Sequence, residues 1–418
     1  MRDVTVARRL GIAKPHLFAL AVLALIALAQ SSYLLNTRTL AAGSDEIQFL
    51  KHTIDLGASE SCAVADINRD GRLDIVSGEN WYEQTQPGTE DLGRRWRKHK
   101  FREVGYTSFY IENLIDIAID VNGDGFLDIV SSSYWSKPFT WLQNPGRENK
   151  NWSETVIASH SPVEFVFLVD LLGTGHPRQL LPQFGNPKAP LAWYELVGKG
   201  TTAKWVNHEV STQSYGHGIG AGDINADGRN DIITPKGWFE APLDRRNENW
   251  VFHSEFELGA TGFIYVLDIN GDKLPDLLTS LGHDYGIFWL EQKKNAKGER
   301  TWEKHVIDNS WSQAHALTLA DLNGDGRPDI ITGKRYMAHN GRDPGEREPL
   351  GVYWYEFISV NRRLEWVKHL IDYGSRAGGG MQIPVVDIDG DGDLDIVTPG
   401  KSGLFLFEQV DPAIPEAR

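Results

Sequence analysis

An aspartate-rich loop recurs seven times along this chain, and nearly every copy runs directly into a short apolar run. The clearest copy is Asp321-Leu-Asn-Gly-Asp-Gly-Arg-Pro-Asp329, followed by Ile-Ile-Thr-Gly. Acidic or amide side chains stand at alternate positions, and Gly326 falls where the chain must turn back. That spacing converges the oxygen ligands a hard cation prefers, and glycine lets the turn tighten around them. The Ile-Ile-Thr run reads as a buried strand. Close copies begin at Asp66, Asp120, Asp223, Asp268 and Asp387, and a seventh, Asp170-Leu-Leu-Gly-Thr-Gly-His-Pro-Arg178, keeps the turn without the ligands. A period of roughly 50 residues means a unit that buries its apolar surface only against its neighbours, as in a propeller or a solenoid.

The repeat makes one domain of 418 residues. With 24% charged and 41% hydrophobic residues the chain is globular. A net charge of -15 argues against nucleic acid as a partner. Much of that charge is local, because the six intact loops hold twenty aspartates, and calcium in them would neutralise about twelve charges. A single cysteine, Cys62, excludes an intramolecular disulfide, so rigidity must come from metal and packing.

Residues 1–36 read as a leader. Arg2, Arg8, Arg9 and Lys14 precede an apolar run from Leu17 to Ala29, and Ala27-Leu28-Ala29 has the form of a cleavage site. A secretory signal is expected. An uncleaved N-terminal anchor is the alternative and the sole membrane contact foreseen. Either places the repeats (residues 46–412, with a 413–418 tail) outside the cytoplasm, secreted or periplasmic.

Each repeat holds four strands. One enters the Asp loop, one leaves it, a third carries an aromatic pair and an acid (Trp81-Tyr-Glu83, Trp193-Tyr-Glu195, Trp354-Tyr-Glu356), and a fourth carries Trp-x-x-His (Trp96 and His99, Trp205 and His208, Trp366 and His369). Four aromatic-rich strands without helical periodicity make a propeller blade. The last repeat stops after its third strand, whereas Phe49-Leu-Lys-His52 is a fourth strand without a blade. The expected fold is all-β: a seven-bladed β-propeller with four-stranded blades, its ring closed by that N-terminal strand.

These repeats resemble the FG-GAP/VCBS family, the calcium-loop propellers of integrin α-chain heads. The resemblance implies one structural Ca²⁺ per intact loop, about six in all. The implied ligands are Asp66, Asn68, Asp70 and Asp74; Asp120, Asn122, Asp124 and Asp128; Asp223, Asn225, Asp227 and Asp231. In the later loops they are Asp268, Asn270, Asp272 and Asp276; Asp321, Asn323, Asp325 and Asp329; Asp387, Asp389, Asp391 and Asp395. The loop of the fifth repeat departs by placing Lys273 where glycine is expected. Two stretches, His217-Gly-Ile-Gly-Ala-Gly-Asp and Gly333-Lys-Arg-Tyr-Met-Ala-His-Asn340, are also similar to the propeller part of aldos-2-ulose dehydratase, which eliminates water from keto-sugars with bound metal. The cupin-like domains of that family have no counterpart in this sequence, so no catalytic residue is carried over.

Blade topology sets the start of each inner strand, and the loop after each second strand, on the face opposite the Asp loops. Six residues before each first Asp stand Glu60, Leu114, Glu164, His217, Gly262, His315 and Met381. Equivalent positions point at one place, so Glu60, Glu164, His217 and His315 are candidates to bind Zn²⁺, Mn²⁺ or a similar ion. Loops on that face add Lys236, His283, Asp284, Lys334, Arg335, Tyr336 and His339, with Tyr134 and Tyr215 near them. Two functions follow. One is a carbon–oxygen lyase acting on a keto-sugar, with His217, His315 or His339 as ligand or base. Lys334 and Arg335 would hold the enolate oxygen, and Tyr336 or a histidine would protonate the leaving group. The other is a non-catalytic, calcium-stabilised scaffold that holds a carbohydrate or a protein partner. The Trp-x-x-His histidines, repeated on five outer strands, read as structural.

Overall fold

The computed structural model describes residues 46–410, apart from 58, 86–94, 109, 137–138, 149–150, 161, 248 and 361–362. The leader at 1–36 and the tail at 413–418 lie outside the described residues. No helix among the described residues is long and apolar enough to cross a membrane. The chain is all-β, its sheets in a β-propeller arrangement, with a single-turn 3-10 helix at Gly200–Thr202.

The first three sheets are antiparallel four-strand meanders. They comprise Ala63–Ala65, Asp74–Ser77, Asn80–Gln84 and Trp96–Lys100; then Ile115–Ile119, Asp128–Ser132, Phe139–Gln143 and Ser153–Ala158; then Val163–Val169, Gln179–Phe184, Leu191–Val197 and Lys204–Ser211. Two further meanders, Ile219–Gly222 to Val251–His253 and Phe263–Leu267 to Arg300–Ser312, join into eight strands where their inner strands pair in parallel. Leu317–Ala320 to Arg363–Tyr373 form another meander. The last sheet combines Val385–Val386, Asp395–Thr398 and Leu404–Val410 with Gln48–Asp55, which pairs antiparallel with Leu404–Val410.

Second strands are covered on both faces, and this explains their unbroken apolar runs. Ile75 and Val76 are adjacent and both fully buried, one packing toward Val397 and Leu406 and the other toward Ile129 and Leu142. Ile330 and Ile331 divide in the same way between Leu278 with Trp289 and Ile396 with Phe405. Outer strands are more exposed, as Ser153–Ala158 and Trp96–Lys100 show.

The outer histidines are clasped across strands. Trp81, Trp193, Trp238, Trp289 and Trp354 lie opposite His99, His208, His253, His305 and His369. The rings stack at 4.1 to 4.4 Å. Residues two apart share a strand face, so Glu83, Glu195, Glu240, Glu291 and Glu356 each meet the same imidazole at 2.7 to 3.1 Å. The histidine's tryptophan partner is thus on the third strand rather than three residues earlier on its own.

Each Asp loop is a double left-handed turn. Its fourth and sixth residues have positive φ, as at Gly324 (71°) and Gly326 (85°), and Lys273 adopts 69° where the others have glycine. Asp321 accepts the amides of Asp325 and Gly326 at 2.9 and 2.8 Å. The ninth residue, Asp329, is fully buried and accepts the Leu322 and Phe357 amides, both at 3.1 Å. It straps its loop to the third strand, as Asp74, Asp128, Asp231, Asp276 and Asp395 do in theirs. In the ligand-poor loop Asp170 keeps the turn, and Gln179 replaces the ninth aspartate as acceptor for Leu171.

Candidate metal centre

The inner strand Val163–Val169 carries Glu164 at its second residue, and His217 and His315 each stand two residues before an inner strand. His283 occupies the tight connection between Asp276–Ser280 and Tyr285–Lys294, and His339 and Asp343 lie in the long connection after Asp329–Gly333. The topology brings these onto one face. Glu164, His217, His283 and His315 each offer a ligand atom within 4.8 Å of the others.

The hydrogen bonds orient the rings. His217 donates from Nδ1 to the Thr261 carbonyl at 2.7 Å, which turns Nε2 toward Glu164 Oε2 at 2.6 Å and His283 Nε2 at 2.9 Å. A carbonyl can only accept, so Nδ1 carries the hydrogen. His315 is fully buried, and neither of its ring nitrogens has a hydrogen-bond partner among the described residues. Gly282 makes room for it: a Cβ there would lie 3.2 Å from His315 Nε2 and 3.4 Å from His217 Cε1.

Burial alone would raise the Glu164 carboxyl, but His217 and the nearby Arg335 charge overcome it and hold it at about 2. Burial, reinforced by His217, pushes His283 down to about 4. Burial, with Arg335 beside it, drives His315 well below the ordinary imidazole range. The set therefore offers an ionised carboxylate with neutral imidazoles at His283 and His315, a donor set suited to a borderline transition metal.

Side-chain exposure falls from 31% at His339 to 16% at His283 and 5% at Glu164, so the approach is from the His339 side. A cavity of about 410 Å³ opens there, lined by Ser108, Tyr110, His339, Asn340, Arg342 and Asp343. Tyr110 stacks on Tyr134 at 4.5 Å and meets His339 edge-on at 6.3 Å.

Glu60 does not join this cluster. Its Oε1 accepts from Arg335 Nε at 2.6 Å, both side chains being 1% exposed. Lys334 is buried, its ammonium donating to the Ser312 hydroxyl and carbonyl with Glu348 at 3.5 Å. Tyr336 is 43% exposed, with no described contact to the histidines. Tyr215 packs on Phe239 and Phe252. Asp343, Glu346 and Tyr110 escaped sequence reasoning. They sit in connections that have no counterpart in the other repeats, and the only signal was the acid four residues after His339.

The Asp loops lie on the opposite side, and in the last of them the carboxylates converge. Asp387, Asp389 and Asp395 offer oxygens within 4.8 Å of one another. Arg72, Arg229 and Arg327 pair with Asp70, Asp227 and Asp325 of their own loops.

Residues 246–332 match the model of the FG-GAP-like repeat family. No curated protein matches the sequence. Among solved structures, BBS1N in complex with ARL6DN is similar over 88% of this chain and 98% of its own, at 10% identity and a TM-score of 0.48. The V. cholerae biofilm matrix protein Bap1 is similar over 90% of each chain, at 12% identity and a TM-score of 0.38.

Proposed function

We propose that this chain is an extracytoplasmic, calcium-stabilised, seven-bladed propeller whose Glu164, His217, His283 and His315 hold one transition-metal ion. On this reading it eliminates water or an alcohol from a keto-sugar. One observation carries it: three imidazoles and an ionised carboxylate aim at one point, and His315 is buried there with both nitrogens unpartnered. A buried polar group without a partner is costly, and a bound ion is the usual remedy for such a set. The seven-blade count is supported by the strand sets, with Gln48–Asp55 completing the last. Calcium is supported by the loops' oxygen-only donors and by the ninth aspartates. Burial, with the other loop carboxylates, lifts these to about 6 or 7, a strain that a cation would relieve.

The ion would polarise the substrate carbonyl. His339, at the cavity wall, takes the proton from the carbon beside that carbonyl. The C–O bond on the next carbon breaks as the C=C bond forms, and the resulting imidazolium returns its proton to the departing oxygen, which leaves as water or alcohol. The exposed Tyr336 is displaced from that role by His339. The cavity's hydroxyl, amide and guanidinium lining, with the Tyr110 ring as one wall, suits a small polyhydroxylated molecule.

Elemental analysis of the dialysed protein tests the reading. The expected result is about six calcium ions and about one transition-metal ion, the latter lost in His217→Ala/His315→Ala together with keto-sugar elimination followed by ultraviolet absorbance of the conjugated product. Calcium alone, with no elimination, would leave a binding scaffold for a glycan or protein.

A further inference from the structure

Building on the metal-centre reading, we infer that Asp343 is a positioning residue that fixes two histidines at once, a metal ligand and the base. Its Oδ2 accepts from His283 Nδ1 at 2.9 Å and from His339 Nδ1 at 2.8 Å. The two rings stack at 4.2 Å, only 9° from parallel, so one oxygen addresses the same atom on each. An ionised carboxylate can only accept, so both rings carry their hydrogen on Nδ1.

The tautomers decide where the lone pairs go. On His283 the bare Nε2 points at His217 Nε2, 2.9 Å away, inside the cluster. On His339 the bare Nε2 has no described hydrogen-bond partner, and the residue lines the 410 Å³ cavity. A carboxylate behind a ligating imidazole fixes ring orientation and raises ligand basicity. Here the same carboxylate also sets the base, so metal binding and proton abstraction share one support.

The loop does not depend on the Asp343 side chain for its shape. Glu346, 1% exposed, accepts the backbone amides of both His339 and Asp343. Removing the Asp343 carboxylate therefore leaves both residues anchored.

The test compares wild type, Asp343→Ala and Asp343→Asn by ¹⁵N chemical shifts of the histidine side chains and by titration with Co²⁺ followed through its visible absorption. In the wild type the His283 and His339 signals should report hydrogen on Nδ1. In Asp343→Ala this preference should be lost for both rings, and Co²⁺ affinity should fall about 10–100-fold. Asp343→Asn retains an acceptor oxygen without the charge and should fall between the two. Unchanged tautomers in Asp343→Ala, or wild-type Co²⁺ affinity in that variant, overturn the inference. A wild type that takes up no Co²⁺ removes the metal centre, and the nitrogen shifts then still decide whether Asp343 sets both rings.

Discussion

Replacing Glu60 by glutamine keeps the side chain's shape and removes its charge, beside a buried arginine that pairs with it. Arg335 is fully buried, and its only described side-chain hydrogen bond runs from Nε to Glu60 Oε1; Nη1 and Nη2 have none. The nearest other cation, Lys401 Nζ, stands 3.9 Å from Glu60 Oε2. Breaking one side of a buried pair costs about 3–5 kcal/mol, because the remaining charge is stranded. Glu164 lies within electrostatic reach of Arg335, which places the expectation near the lower end, about 3 kcal/mol. Unfolding entropy of about 2.1 cal/mol/K per residue gives a fold of this size roughly 0.8 kcal/mol per kelvin, hence a Tm lower by about 4 °C. Scanning calorimetry and urea unfolding at neutral pH measure it, and the m-value should stay constant. A Glu60→Leu/Arg335→Met pair should recover most of the loss, since packed apolar side chains replace a buried ion pair at little cost. A Tm within about 1 °C of wild type for Glu60→Gln, or a double variant that loses the sum of the single effects, would refute the claim that this pair is locked by burial.

Three further expectations are independent of that pair. Chelating calcium should lower the Tm and introduce a pH dependence. The ninth aspartates of the loops have folded values of about 6 to 7 against an ordinary 3.8. Their contribution is therefore full below about pH 4 and is lost as pH rises through 6–7, so the chelated protein should melt higher at pH 5 than at pH 8, and calcium should flatten that slope. Lys273→Gly should stabilise by about 0.5–1 kcal/mol, because a left-handed lysine is strained by more than glycine's added chain entropy; an unchanged or lower denaturation midpoint would count against it. Gly282→Ala should weaken Co²⁺ binding about tenfold with little change in Tm, because its methyl presses on His315 and His217 and shifts the ligands.

The fold was legible because the Asp loop is a chemical constraint repeated in register. A ninth aspartate that must accept two backbone amides, and a fourth and sixth residue that must be left-handed, leave a mark that composition cannot blur. Equivalence between repeats also located Glu164, His217 and His315 on one face. It failed for Glu60, because the same symmetry that aims Glu60 inward brings Arg335 from a neighbouring connection to meet it. Lys334 and Tyr336 flank Arg335 in sequence, yet one turns to Ser312 and the other to solvent, since no strand period governs residues 334–350. Asp343 and Glu346 were hidden for the same reason. Their role depends on the course of a long connection, which local pattern does not encode. The glutamate partners of the outer histidines were readable in principle, as they lie two residues beyond each stacked tryptophan.

The register of the last sheet sets Gln48 opposite Val410. The first and last described strands therefore begin and end at the same corner, and whatever precedes one and follows the other leaves from a common point. A tether through either side would present the fold in one orientation, with the same surface outward. Tension applied between the two would act across the ladder from its open end, peeling Gln48–Asp55 away one hydrogen bond at a time instead of shearing the whole strand. The seam is in this sense a zip fastener with both pulls on the same side.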